Sequence, residues 1–346
     1  MKKKFSFKVF LFALLGIILI VVITFVFIFR NELSILRSIK TVSTAPAYEL
    51  KYKGGFALDT YLEQGISDND DQYRFILKNI AKGIGNFFET DQPHGCSAFF
   101  GKTPEGDLIF ARNFDTPKGI GAVTVTDGTE GYRSILISQA NWLGVSGQET
   151  LSITEKILLL ATPYMVADGI NEAGFSAAFF TANGTKTVID ETKVTLHDNT
   201  IISILLSRCA TVEEAVHFLK QYNILMDSAY PSQYMLCDAD GNSAIIEYID
   251  GEMIVLDRDG DYQICTNFLL YDNPSLIGYG TDRYMNYDRH LKQTKGIIST
   301  TDALELLKEN TIRGSATWSA VYNLTKKNVT VTFHKDYDNV MVYEFE

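Results

Sequence analysis

A chain of 346 residues, 46% apolar and 21% charged, is long enough for one large domain or two smaller ones with a sizeable core. Its net charge of −11, without any Lys/Arg stripe, argues against a nucleic-acid partner. The four cysteines, Cys96, Cys209, Cys237 and Cys265, form no CxxC, and none of the five histidines stands at metal-ligand spacing, so a zinc site is not expected. Disulfides are not expected either, although an even number leaves a pair open.

Val9–Phe29 is apolar apart from Gly16 and Thr24. As a helix it spans roughly 30 Å, the thickness of a bilayer core. Lys2, Lys3, Lys4 and Lys8 precede it, so residues 1–8 form a cytoplasmic tail and residues 9–29 a single-pass signal anchor. Arg30, Arg37 and Lys40 weaken that bias without reversing it. A cleaved signal peptide is the competing reading, but its apolar run is usually shorter. Ala45-Pro-Ala47, the one small-x-small site nearby, lies well beyond the run. The remainder is then extracytoplasmic.

Residues 30–95 read as a stalk followed by a helical segment. Asn31–Tyr61 mixes charge, Ser/Thr, Pro and Gly-Gly. Ser67-Asp-Asn-Asp70 then opens a helix over Asp68–Phe88, with Phe75, Ile76, Ile80, Ile84 and Phe87 on one face. From Cys96 to the end, residues 96–346, the pattern changes to many strands. Ser97–Gly101 and Leu108–Asn113 form a hairpin around Thr103-Pro-Glu-Gly-Asp107. Residues 234–268 read as strands joined by turns at Asp240-Gly241, Asp250-Gly251 and Asp259-Gly260. Helices are expected at Thr200–Arg208, Thr211–Gln221 and Thr301–Lys308. A closing hairpin, Ala320–Leu324 with Val329–His334, precedes a last strand near Val340–Phe345. Strand runs alternating with helix pairs imply an α+β sandwich of layers.

The first hairpin brings Cys96 close to Arg112 and Asp115, and a guanidinium beside a thiol favours the thiolate. Read blandly, Cys96 is a small buried hydrophobe and Arg112–Asp115 a surface pair.

Four segments in order carry a resemblance: "HGCSAFFGKTPEGDLIFARNFD", "ADGINEAGFSAAFF", "CTNF" and "GTDRYMNYDR". With Arg112 and Asp115 16 and 19 residues after Cys96, the region from Cys96 onward resembles the cysteine-type N-terminal nucleophile hydrolases of linear amides. That group holds choloylglycine hydrolase, penicillin V acylase, acid ceramidase and N-acylethanolamine acid amidase. The resemblance implies an αββα four-layer sandwich, with neither metal nor organic cofactor. It implies Cys96 as nucleophile, Arg112 beside its sulfur, Asp115 holding its α-amine, Asn267 as oxyanion donor and Arg283 as the late arginine, with Arg289 the runner-up. A second donor or substrate-orienting residue falls at Thr181 or Asn183, which would share a strand face. Asn171 reads as a turn residue before Gly174.

In this chemistry the freed α-amine, with a pKa of about 8, accepts the thiol proton, and no histidine is needed. His94 would leave with the prosegment once Gly95–Cys96 is cut by the thiol itself. The released piece carries the membrane helix, and it either frees the enzyme or stays associated. The expected substrate is a small N-acyl amide: an acylated amino acid, acylethanolamine, penicillin side chain, acyl-homoserine lactone or bile conjugate. Two alternatives stand beside hydrolysis: an acyltransferase of the same fold, and a membrane-anchored binding protein without chemistry.

Overall fold

The computed structural model describes residues 7–43, 46–83, 95–117, 119–226, 230–312 and 316–345. Helix α1 (Phe7–Ile28) carries a 19-residue apolar stretch of mean hydropathy 3.3, none of it buried against protein. Its length and composition suit a membrane span or a signal sequence.

The next residues differ from the stalk expected of them. Helix α2 (Arg30–Ser38) buries Ile35, and strand β1 (Lys40–Thr41) pairs with β2 (Ala47–Tyr52). β2 in turn runs parallel to β5 (Gly121–Thr126), in register from Ala47↔Gly121 to Tyr52↔Thr126. Ala47, Tyr48, Leu50 and Tyr52 are buried. The Tyr48 and Tyr52 hydroxyls donate to the Gln148 and Leu160 carbonyls. A mixed composition concealed a short strand whose aromatic residues supply the burial. Helix α3 (Leu58–Gln64) follows, with Glu130 accepting the Phe56 and Leu58 amides ahead of it.

Helix α4 (Asn69–Asn79) begins as expected, the Asp68 side chain accepting from the Asp71 amide. It stops nine residues short of Phe88, because Lys82 and Gly83 turn into the left-handed region. Ile84, Phe87, Phe88 and His94 lie outside the described residues.

The hairpin β3 (Gly95–Lys102) and β4 (Leu108–Asp115) forms as the sequence implies, Gly106 taking the positive φ its turn requires. β6 (Ser134–Gln139), helix α5 (Ile153–Leu158), β7 (Val166–Asn171) and β8 (Ser176–Thr181) come next. Asn171 does serve the β7–β8 turn, its Oδ1 accepting the Ala173 and Phe175 amides. Its Nδ2 also ties the turn to the Leu206 and Cys209 carbonyls.

β9 (Thr195–His197), α6 (Asp198–Arg208), α7 (Val212–Leu219) and β10 (Asn223–Leu225) lead to β11 (Ser232–Cys237), β12 (Ser243–Ile249), β13 (Glu252–Asp257) and β14 (Gln263–Cys265). Helix α8 (Thr281–Thr294) has no counterpart among the expected helices. After it come α9 (Thr300–Glu309), β15 (Ala316–Asn323), β16 (Asn328–Phe333) and β17 (Met341–Glu344).

Among the described residues nine strands form one sheet in the order β1-β2-β5-β6-β7-β8-β11-β12-β13, and six form another, β14-β3-β4-β15-β16-β17. The sheets face each other, β3 against β8. α6 packs on the outer side of β7 and β8, and α9 on that of β4 and β15. The inner faces supply the main core, and a second cluster including Phe99, Ile109, Tyr287 and Leu307 lies between the six-stranded sheet and α8/α9.

Candidate active site

Cys96 is the second residue of β3 and pairs with Phe114 across the hairpin. Side chains alternate along a strand, so Arg112, two residues before Phe114, lies on the same inner face. Its guanidinium is fully buried, and Nη2 stands 3.3 Å from Cys96 Sγ. Its two terminal nitrogens are pinned: Nη1 donates to the Ala167 carbonyl (2.5 Å), Nη2 to that of Phe179 (2.6 Å), and Asp168 pairs with Nη1 at 2.9 Å. Asp168 also accepts from Trp318 Nε1 (3.0 Å) and the Tyr322 hydroxyl. Three donors around an acceptor-only carboxylate explain how this charge is tolerated with no solvent exposure. Burial pushes the Cys96 thiol up, and the adjacent Arg112 charge opposes the rise.

Asp115 lies directly across the ladder from Gly95. It is 1% exposed, and neither carboxylate oxygen reaches a well-formed hydrogen bond among the described residues. Burial pushes its pKa up to about 7, while the Arg283 charge and then the nearby Ile312 backbone pull it down.

Asn267 sits just past β14, bridged to Tyr279. Its Oδ1 accepts the Cys96 backbone amide at 2.6 Å and Arg283 Nη2 at 3.0 Å, and its Nδ2 donates to the Thr181 carbonyl at 2.9 Å. Two donors facing one oxygen fix the orientation of the amide. Arg283, in the first turn of α8, also donates from Nη1 to the Cys96 carbonyl at 2.6 Å. Gly280 makes room for it: a Cβ there would fall 2.5 Å from Arg283 Nη2.

Cys96, Arg112, Asp115, Asn267 and Arg283 therefore converge. Arg289 does not join them; it is exposed on α8 and lines, with Arg283, a neighbouring cavity of about 570 Å³. Thr181 joins through its carbonyl, whereas Asn183 is exposed in a turn. The two do not share a strand face, because β8 ends at Thr181.

The sequence reading missed Asp168, which stands inside the quoted "ADGINEAGF" segment. A carboxylate in the otherwise apolar run Val166-Ala-Asp-Gly-Ile170 was the available signal, since such a group needs a buried cation. All four cysteines are unpaired and buried. Among the described residues no group of three or more His, Cys, Asp or Glu is placed to hold a metal ion.

The profile of the linear amide C-N hydrolases, choloylglycine hydrolase family, matches residues 96–288, and the chain belongs to that family. It is 30% identical over 179 residues to a penicillin V acylase from Pectobacterium atrosepticum, an overlap covering 46% of this chain and 47% of the relative. The chain thus spans about half the length of that curated relative. Two solved structures share the fold. Penicillin V acylase from Agrobacterium tumefaciens superposes with a TM-score of 0.53 at 19% identity, over 72% of this chain and 86% of that one. A variant of the conjugated bile acid hydrolase from Clostridium perfringens does so with a TM-score of 0.50 at 15% identity, over 72% and 92%.

Proposed function

We propose that the protein hydrolyses small linear N-acyl amides, with Cys96 as an N-terminal nucleophile generated by cutting the Gly95–Cys96 bond. One observation carries the reading: three buried groups converge on one cysteine, Arg112 on its sulfur, Asn267 on its amide and Arg283 on its carbonyl. A structural cysteine has no need of such company.

In the cut, Cys96 Sγ attacks the Gly95 carbonyl carbon and the C–N bond breaks. Water then hydrolyses the thioester, leaving a carboxylate on Gly95 and a free α-amine on Cys96. The missing side chain of Gly95 supports this, since a Cβ there would lie 2.0 Å from Ile312 Cδ1. The amine takes the thiol proton, and Asp115, opposite Gly95 and without a well-formed partner among the described residues, holds the resulting ammonium.

Attack on a substrate carbonyl develops an oxyanion. Asn267 Nδ2 has a second N–H to offer it beyond the one bound to Thr181. The leaving amine takes its proton from the α-ammonium, and water hydrolyses the acyl-enzyme.

In this reading residues 96–346 form the catalytic αββα sandwich, residues 1–8 a cytoplasmic tail and residues 9–29 the span that anchors an extracytoplasmic enzyme. Residues 30–95 form the prosegment. β2 supports its retention after the cut, because that strand is built into the nine-stranded sheet.

The test is intact mass and N-terminal sequencing of purified protein, then a panel of N-acyl amides, penicillin V among them, with and without amine acceptors. A chain beginning at Cys96 that releases free acid is the expected result. Full-length chain in an active preparation overturns the mechanism, and acyl transfer to the acceptors in place of free acid reassigns it as a transferase.

A further inference from the structure

Asn267 belongs to no regular strand. Beyond β14 the chain from Thr266 to Tyr271 is irregular, its backbone tied by the single bridge from Asn267 to Tyr279 rather than by a ladder. Two buried side chains from the opposite sheet supply the rest. Gln233 on β11 donates from Nε2 to the carbonyls of Thr266 (2.7 Å) and Phe268 (3.3 Å), the residues on either side of Asn267. Glu247 on β12 accepts the Leu270 amide at 2.6 Å on one oxygen and the Tyr271 amide at 3.0 Å on the other. Both side chains have no solvent exposure.

Neither is what a core selected for stability alone would hold. Gln233 Oε1 has no hydrogen-bond partner among the described residues, and a buried orphan acceptor is destabilising. Glu247 forms no ion pair among the described residues, although burial disfavours its charge. Leucine or methionine would remove these penalties, but would leave two backbone carbonyls or two amides of the segment without their partners. What the polar pair supplies is four hydrogen bonds to a short irregular segment that carries Asn267, whose side chain meets the Cys96 amide.

We infer that Gln233 and Glu247 are positioning residues that hold Asn267 where its side-chain amide meets the oxyanion, a role that rests on the nucleophile assigned to Cys96. Misplacing such a donor by a fraction of an ångström weakens the transition state while leaving the thiol itself alone.

Two reactions of Cys96 in the processed full chain separate these effects. With iodoacetamide the sulfur displaces iodide and no oxyanion forms. With p-nitrophenyl acetate the sulfur bonds to the carbonyl carbon, an oxyanion develops, and p-nitrophenolate leaves. Gln233→Leu should slow acylation about 10- to 100-fold while alkylation stays within about two-fold of the parent. Its melting temperature should fall only modestly, since the orphan acceptor disappears while the Thr266 and Phe268 carbonyls lose their donor. Gln233→Met is the longer isostere should leucine fold poorly, and Glu247→Gln, keeping one acceptor, should fall between. In an Asn267→Ala background Gln233→Leu should slow acylation no further, since its effect runs through Asn267. Equal slowing of both reactions, slowing that tracks the melting temperature, or no slowing at all overturns the positioning role and leaves the nucleophile assignment standing. A parent chain that the ester does not acylate at Cys96 overturns both.

Discussion

In a chain held uncut by Cys96→Ala, replacing Asp115 with asparagine should remove a pH dependence of stability that runs opposite to that of an ordinary paired carboxylate. The Asp115 carboxyl titrates at about 7 in the fold, against about 4 in an unfolded chain. Between those values the folded state binds the extra proton, so stability falls as pH rises, by ~1.4 kcal/mol per pH unit. The contribution is fully present below pH ~4 and is lost as pH passes through about 7, a total of ~4 kcal/mol. Urea unfolding of the full chain in mild detergent, followed by the fluorescence of Trp142 and Trp318, gives the free energy at pH 5, 6, 7 and 8. The stability of Cys96→Ala should fall away from that of Cys96→Ala/Asp115→Asn across that range, the gap widening and then levelling off near its top. A difference that does not change with pH would mean that the buried carboxylate is satisfied in the uncut chain, which refutes its reservation for the α-amine. In cut protein the sign should reverse, because an ammonium beside Asp115 favours the charged carboxylate.

Cys96→Ser should process at least about 100-fold more slowly and lose hydrolysis to a similar degree, since a hydroxyl resists ionisation. Cys209→Ser, at the C-terminal end of α6, should process normally, both being read by mass spectrometry. Gly95→Ala puts a methyl against Ile312 Cδ1, so that side chain must move aside, and should slow the cut. Adding Ile312→Val, which lacks that carbon, should restore much of the rate; an unrelieved block would trace the defect elsewhere. Asp168→Ala strands the Arg112 guanidinium in the core and should lower stability by about 3–5 kcal/mol in urea unfolding.

The parts of the fold legible in the sequence are those that obey a period or a punctuation mark. The β3–β4 hairpin follows from alternation around Pro-Glu-Gly, and the strands β11 to β14 follow from Asp-Gly turns. Asp68 and Thr211 announce helices that they cap through their side chains. β2 escaped because a six-residue strand in mixed company has no signature until its partner β5 is known. Helix α8 escaped because its turns are mostly charged and polar, with only Arg283, Tyr287 and Leu291 buried.

At the site, Cys96, Arg112 and Asp115 were accessible through one hairpin's register. Asn267 and Arg283 needed the family resemblance, since their contacts with Cys96 bridge 171 and 187 residues. Asp168, Gln233 and Glu247 were hidden for a related reason: each acts on a neighbour brought close only by the stacking of two sheets.

The parallel pairing of β2 with β5 has a consequence for assembly. In one chain, the β2–β5 contact closes a loop that runs through the Cys96 hairpin, and closing it carries a modest entropic cost. Severing Gly95–Cys96 opens that loop, and the same strand pairing becomes an association between two polypeptides. Folding before the cut is unimolecular, whereas refolding after it depends on concentration. An enzyme matured this way is protected chiefly by its unfolding barrier: once melted at low concentration, its fragments have little means of finding each other again.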